Sequence, residues 1–116
     1  MTKLEILKET YDYYTQDVNR RGVNGEGCYY RIGDKMCAVG RCMTEKAYFP
    51  FRGTVTTYNS EYNLEASLKN EYKGHSVEFW RALQTWHDSN NNWNSTGLTT
   101  VGQKDYDDLV KTCERL

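Results

Sequence analysis

The chain has 116 residues and a formal net charge of −1, from 15 basic and 16 acidic side chains. This length fits one domain over residues 1–116 with a single core. The interspersed charges argue against a dedicated nucleic-acid-binding protein, and no segment approaches the roughly 20 apolar residues of a membrane span.

The first predicted element is a helix over residues 3–19. Thr2 and Glu5 have the spacing of a capping box. Apolar residues then recur at helical spacing and predict the buried stripe: Leu4, Leu7, Tyr11, Tyr14 and Val18. Ile6 and Tyr13 fall on nearly the opposite side. They are either ordinary exposed side chains or a contact with another subunit, and the second alternative predicts a homo-oligomer.

The segment "GCYYRIGDKMCAVGRCM" follows a glycine-rich loop. Its two short apolar runs flank a Gly-Asp turn, which predicts an antiparallel hairpin over residues 28–39. The next stretch holds the only proline, together with β-branched residues at 54–57. This stretch is interpreted as a loop, and a short third strand at 54–57 is the alternative.

The second half of the chain is mainly helical in pattern. Helices are predicted near residues 61–72, 76–88 and 101–114, the second of them capped by His75 or Ser76. The core stripe of that second helix is predicted to be Phe79, Ala82, Leu83 and Trp86. The sequence therefore predicts an α+β fold, in which three or four helices pack on a small antiparallel sheet.

Cysteines in the hairpin region are weak candidates for a metal site. Cys37 and Cys42 have a spacing found in zinc sites, and Cys28 lies upstream. His75, His87 or Cys113 would be the fourth ligand. No second compact ligand pair is present, and Cys28 and Cys37 also sit where a hairpin would pair two small apolar residues across its strands. Buried free thiols are the favoured interpretation.

Two arginines lie near the outer ends of the predicted hairpin strands. Arg31 and Arg41 could approach each other across the ladder and bind a phosphate or a carboxylate. The alternative is a solvated strand edge that discourages aggregation.

A second stripe on the helix predicted at 76–88 is the best remaining binding candidate. Trp80, Gln84 and His87 share one side of the helix, and Trp93 follows six residues later. Together they predict either a flat platform for stacking a base or a partner side chain, or an extension of the core.

Motifs of the common hydrolases and deaminases are absent from the sequence. The amino-terminal residues also lack an apolar stretch of signal-peptide length. We therefore expect a cytoplasmic protein that is not an enzyme and that needs no cofactor.

Several segments together resemble a group of small proteins found in tailed bacteriophages and prophages. The resemblance covers nearly the whole chain and rests on a C-x-Y-R…C-A-x-G hairpin and an L-Q-x-x-H-D helix. The matching residues are Cys28, Tyr30, Arg31, Cys37, Ala38, Gly40, Leu83, Gln84, His87 and Asp88. Members of the group often have cysteine directly after the last hairpin glycine, where this chain has Arg41 and then Cys42.

The resemblance implies an accessory protein for host takeover or counter-defence that binds a host protein in the host cytoplasm. One alternative is an oligomeric sponge that holds a nucleotide-like signal between Arg31, Arg41 and the aromatic platform. Another is a small zinc-stabilised interaction module built on the cysteines.

Overall fold

The computed structural model describes residues 1–24, 27–28, 30–47 and 53–116, without the side chains of residues 24 and 28. Five α-helices occur in these ranges: α1 Lys3–Gln16, α2 Val55–Tyr62, α3 Leu64–Ser67, α4 Val77–Asp88 and α5 Thr100–Thr112. Six strands of two residues each are β1 Val23–Asn24, β2 Gly27–Cys28, β3 Arg31–Ile32, β4 Lys35–Met36, β5 Trp93–Asn94 and β6 Gly97–Leu98. The α+β class predicted from the sequence is confirmed.

The strands form three separate antiparallel pairs, where one small sheet was predicted. The Gly-Asp hairpin is present, but only Arg31–Ile32 and Lys35–Met36 pair in it. Gly33, the first turn residue, has a φ of +62°, as a type II′ turn requires. Cys28 pairs with Val23 in a different hairpin, so the predicted pairing of Cys28 with Cys37 is wrong.

After β4 the chain turns tightly instead of extending the strand to residue 39. Residues Gly40–Cys42 form a 3-10 turn beneath Tyr30. A Cβ atom at Gly40 would lie 2.1 Å from the Tyr30 carbonyl oxygen. This close approach of two backbones explains why the turn needs glycine.

The predicted third strand at 54–57 is wrong, because α2 begins there. The Thr54 hydroxyl accepts a hydrogen bond from the Thr57 amide at 3.1 Å and caps the helix. Val55 and Tyr58 are both buried, one turn apart. A helix cap and two buried side chains outweigh the helix penalty of β-branched residues, which is well under about 1 kcal/mol each.

Helix α1 begins with the predicted capping box, in which Glu5 and Thr2 bond each other's backbone amides. Its buried face is rotated from the prediction, since Leu4 is 47% exposed and Ile6 is fully buried. Tyr13 packs on Tyr14 with ring centroids 4.9 Å apart. The predicted surface patch of Ile6 and Tyr13 therefore does not exist, and the homo-oligomer inferred from it stays a prediction.

Helix α4 contacts α2 and α5 and is capped by Ser76, whose hydroxyl accepts from the Phe79 amide at 3.2 Å. Its carboxyl end is held by side chains from elsewhere in the chain. Arg21 donates to the His87 carbonyl through Nε at 3.1 Å and Nη2 at 2.7 Å. Asn92 Nδ2 donates to the Trp86 carbonyl at 3.0 Å. These bonds satisfy carbonyls that a helix end leaves without partners.

Most of the core lies around α1 and α4. Its largest fully buried side chains are Trp80, Tyr14, Tyr58, Phe79, Ile6, Leu7, Met43, Leu64, Leu68 and Leu83. Among the described helices, none has both the length and the apolar character needed to cross a lipid bilayer.

Candidate functional site

The predicted aromatic stripe of α4 lies inside the protein. Trp80 is 1% exposed and His87 is fully buried, so the prediction of a solvent-facing platform is wrong. The two residues adjoin Phe79, Leu83 and Trp86, and all five form one broad buried face. A globular helix commonly buries such a wide stripe, and the sequence pattern had divided it into two.

Trp93 is also buried and helps to close the end of α4. Its Nε1 donates to the Trp86 carbonyl at 3.3 Å, and the Arg21 guanidinium lies 5.0 Å from its ring centroid. The indole of Trp93 also contacts the rings of Tyr14 and Trp86. Its packing is that of a core residue.

Gln84 links α4 to the turn that follows the hairpin. Its Oε1 accepts from the Val39 amide at 3.0 Å, and its Nε2 donates to Asp88 Oδ1 at 2.6 Å. The same carboxylate oxygen lies 2.7 Å from His87 Nδ1. Burial lowers the pKa of His87, and Asp88 only partly opposes this effect. The neutral imidazole is therefore the favoured form in the folded protein.

Arg31 and Arg41 are not brought to a shared anion site. Arg31 contacts Glu45 at 2.9 Å and the Met43 carbonyl at 3.2 Å. Arg41 contacts Glu9 at 2.7 Å and the Thr10 hydroxyl at 3.2 Å. The Nη groups of each guanidinium thus donate to acceptors within the chain.

The cysteines with described side chains are buried. Cys37, Cys42 and Cys113 are free thiols, and burial raises the pKa of each, that of Cys42 to about 12. Within the described residues no group of three His, Cys, Asp or Glu side chains is arranged to hold a metal ion. The Cys28 side chain lies outside the described part of the chain. Metals and electrophiles react with thiolates, so the three described thiols suit packing better than chemistry.

Two clefts flank the exposed side of α4. One, of about 480 Å³, lies between α4 and α5, with Ala82, Trp86 and Leu109 among its apolar lining residues. The other, of about 450 Å³, lies between α4 and the beginning of α2, with Gln84 and Asp88 among its lining residues. Both volumes fall within the usual range of ligand-binding sites.

The α4 ridge, defined here as Glu78, Arg81 and Thr85, is exposed. Arg81 and Thr85 line both clefts, so the ridge lies between the two clefts and forms part of the wall of each. The Arg81 side chain makes no hydrogen bond or ion pair with any described residue, unlike Arg31 and Arg41. A cation that has no partner in the described ranges, and that lies between two concave surfaces, can bind an external acceptor.

The sequence pattern does not single out the α4 ridge as a binding surface. A signal was present, because Glu78, Arg81 and Thr85 recur at helical spacing on the side opposite Phe79 and Leu83. Such a polar stripe is typical of any solvated helix face, so the pattern alone does not distinguish a binding surface. The clefts beside the ridge depend on how α2 and α5 pack.

No known protein family, curated protein or solved structure matches this chain.

Proposed function

We propose that this protein acts by binding a partner protein across the α4 ridge and its two clefts. The observation that carries the proposal is Arg81, an exposed cation with no partner among the described residues, which lines both clefts. Interfaces are enriched in arginine near their centres, where its planar donors bind carboxylates or carbonyls. A partner that covers the ridge would also fill both clefts.

Binding is favoured over catalysis by the state of the reactive side chains. The three described thiols are buried with raised pKa values, and His87 is buried beside Asp88. An accessible nucleophile held beside a base is the usual requirement for covalent catalysis. The groups that face solvent around α4 are recognition groups: a guanidinium, carboxylates and hydroxyls.

The identity of the partner class comes from the resemblance to small phage proteins. On that resemblance we propose a host protein as the partner, bound in the bacterial cytoplasm during host takeover or counter-defence. The nucleotide-like ligand is less well supported, because Arg31 and Arg41 make internal contacts and Trp80 and His87 are buried.

The proposal is tested by affinity capture with the full chain and two charge-reversal variants. Arg81→Glu reverses the ridge cation, and Lys35→Glu reverses an exposed cation at the hairpin that lines neither cleft. Both variants should melt within a few degrees of wild type, since exposed substitutions usually change stability by less than about 0.5 kcal/mol.

Each form is incubated with bacterial lysate, and the captured proteins are quantified by mass spectrometry. We expect at least one protein to be retained by wild type and by Lys35→Glu and lost with Arg81→Glu. Equal capture by all three forms, or none above background, would contradict the proposal.

A further inference from the structure

We propose that the cleft between α4 and α5 receives an arginine side chain of the partner protein. This inference rests on the proposed function and names the chemistry of the partner at one of the two clefts. It combines three features of the cleft: unpaired carboxylates, a buried acceptor without a partner, and an apolar lining.

The first feature is two exposed carboxylates without ion pairs. Glu78 on α4 and Asp105 on α5 line the cleft and make no hydrogen bond or ion pair through their side chains with described residues. Asp107 and Asp108 on α5 are engaged, by Gln103 at 3.0 Å and Lys104 at 3.1 Å. Among the three aspartates of α5, the one without a partner in the described residues is thus the one at the cleft.

Arg81 is the one cationic side chain that lines this cleft among the described residues. Two carboxylates against one guanidinium leave an excess negative charge, which a cationic group from the partner would neutralise. Because the carboxylates lie on two helices, a cation between them would contact both sides of the cleft. Complementary charge at a partly desolvated site favours the correct partner and discourages others.

The second feature is the amide of Asn92, which also lines the cleft and is 1% exposed. Its Nδ2 donates to the Trp86 carbonyl, which fixes the orientation of the amide. Its Oδ1 is buried and has no hydrogen-bond partner in the described part of the chain. A buried acceptor without a partner costs free energy, so a donor supplied by a ligand would relieve that cost.

The third feature is the apolar lining formed by Ala82, Trp86, Leu109 and Leu116. The Trp86 indole N–H donates to the Gly102 carbonyl at 3.0 Å and is not available to a ligand. Apart from Arg81 and small polar groups, the cleft thus offers acceptors and apolar surface.

Arginine matches this combination better than lysine does. Its stem packs on apolar surface, its planar head stacks on aromatic rings, and its five N–H donors can serve several acceptors at once. A lysine ammonium has three donors and is more strongly hydrated. A neutral side chain of the same shape would leave the carboxylates without a counter-charge.

Direct binding is measured with capped tripeptides and isotopically labelled full-length protein. The probes are acetyl-Ala-Arg-Ala-amide and its citrulline counterpart, which has nearly the same shape without the charge. Each is titrated to about 5 mM, because a single side chain out of context binds weakly. The signals followed are the side-chain amide of Asn92 and the indole N–H of Trp86.

We expect the arginine peptide to shift both signals, with an affinity at least about threefold above that of the citrulline peptide. Asp105→Asn should weaken arginine binding by a similar factor, and Asp107→Asn on the same helix should not. Equal binding of both peptides, no binding of the arginine peptide, shifts confined to residues outside the cleft, or equal effects of the two aspartate variants would overturn the inference.

These outcomes are separable from failure of the proposed function. If capture from lysate depends on Arg81 and the arginine peptide does not bind, the ridge binds a partner of different chemistry. If capture fails in every form and the peptide still binds as expected, the cleft recognises arginine and the proposed ridge interface is wrong.

Discussion

Arg41 joins helix α1 to the turn after the hairpin through a small polar cluster. Its guanidinium contacts Glu9 and the Thr10 hydroxyl, and Tyr72 donates a hydrogen bond to the same carboxylate. Partial burial raises the pKa of Glu9, but the bonds from Tyr72 and Arg41 outweigh it and keep that pKa below its ordinary value. The residue predicted as an anion ligand thus binds an anion of its own chain.

Replacing Arg41 with methionine should therefore destabilise the fold. The change leaves Glu9 without its ion-pair partner, and we expect a loss of about 2 kcal/mol in the free energy of unfolding. Urea denaturation at neutral pH measures it. Lys8→Met, next to Glu9 on α1, is the control. It removes an exposed ion pair with Asp12 and should lower the free energy of unfolding by less than about 0.5 kcal/mol. Equal losses in the two variants would show that the cluster stabilises the fold no more than an exposed ion pair does.

His87 predicts a dependence of stability on pH. Its pKa in the folded state lies below its ordinary value of 6.5, because burial disfavours the charged ring. As the pH falls below about 6.5, the unfolded chain therefore binds more protons than the folded protein does. The free energy of unfolding should then decrease from neutral pH toward pH 5.

Two measurements check this prediction. Urea unfolding of the wild type should show a stability that falls over this interval, and His87→Gln should show a smaller slope. Because that variant lacks a core imidazole and could fail to fold, the titration of His87 is also followed by NMR. An imidazole that titrates at or above 6.5 in the folded protein would contradict the account.

At the scale of the elements, the sequence predicts local signals well and tertiary burial less well. The capping box at Thr2 and Glu5 and the hairpin turn at Gly33 were predicted because both depend on a few neighbouring residues. The buried side of α1 was mispredicted because periodicity indicates that a helix has an apolar face but does not fix the width or exact position of that face. Ile6 is buried by tertiary contacts of α1, which the local sequence does not specify.

The beginning of α5 depends on a contact that no local pattern indicates. Gly102 packs against the loop before β5, where a Cβ atom would lie 2.3 Å from the Asn92 carbonyl oxygen. Its own carbonyl accepts from Trp86 Nε1. Glycine is unfavourable in a helix, so its presence here reflects close packing between α5 and the end of α4.

Gly102→Ala should therefore destabilise the protein by about 2 kcal/mol or more, through overpacking against backbone. Without that contact the same change would stabilise a helix by up to about 1 kcal/mol, so the sign of the effect is decisive. Thermal denaturation provides the measurement. Lys104→Ala, at an exposed position two residues later, is the control and should leave the melting temperature nearly unchanged.

At the scale of the whole molecule, α4 has two opposite roles. One side supplies core residues such as Phe79, Trp80 and Leu83, and the other carries the α4 ridge between two clefts. The sequence pattern predicts a binding surface on this helix but places it on the buried side. Aromatic side chains at helical spacing indicate such a surface, whereas a polar stripe is typical of any solvated helix. The clefts form only where α2 and α5 pack beside α4, which a single sequence does not specify.

Partner binding at the α4 ridge is tested by placing a photo-crosslinking amino acid at Thr85, an exposed ridge residue that lines both clefts. The same amino acid at Lys35 is the matched control outside the clefts. After irradiation in bacterial lysate, we expect a defined crosslinked partner from position 85 that is absent from position 35 and is lost when Arg81→Glu is added. A partner captured equally from both positions, or only from position 35, would show that α4 does not form the binding surface.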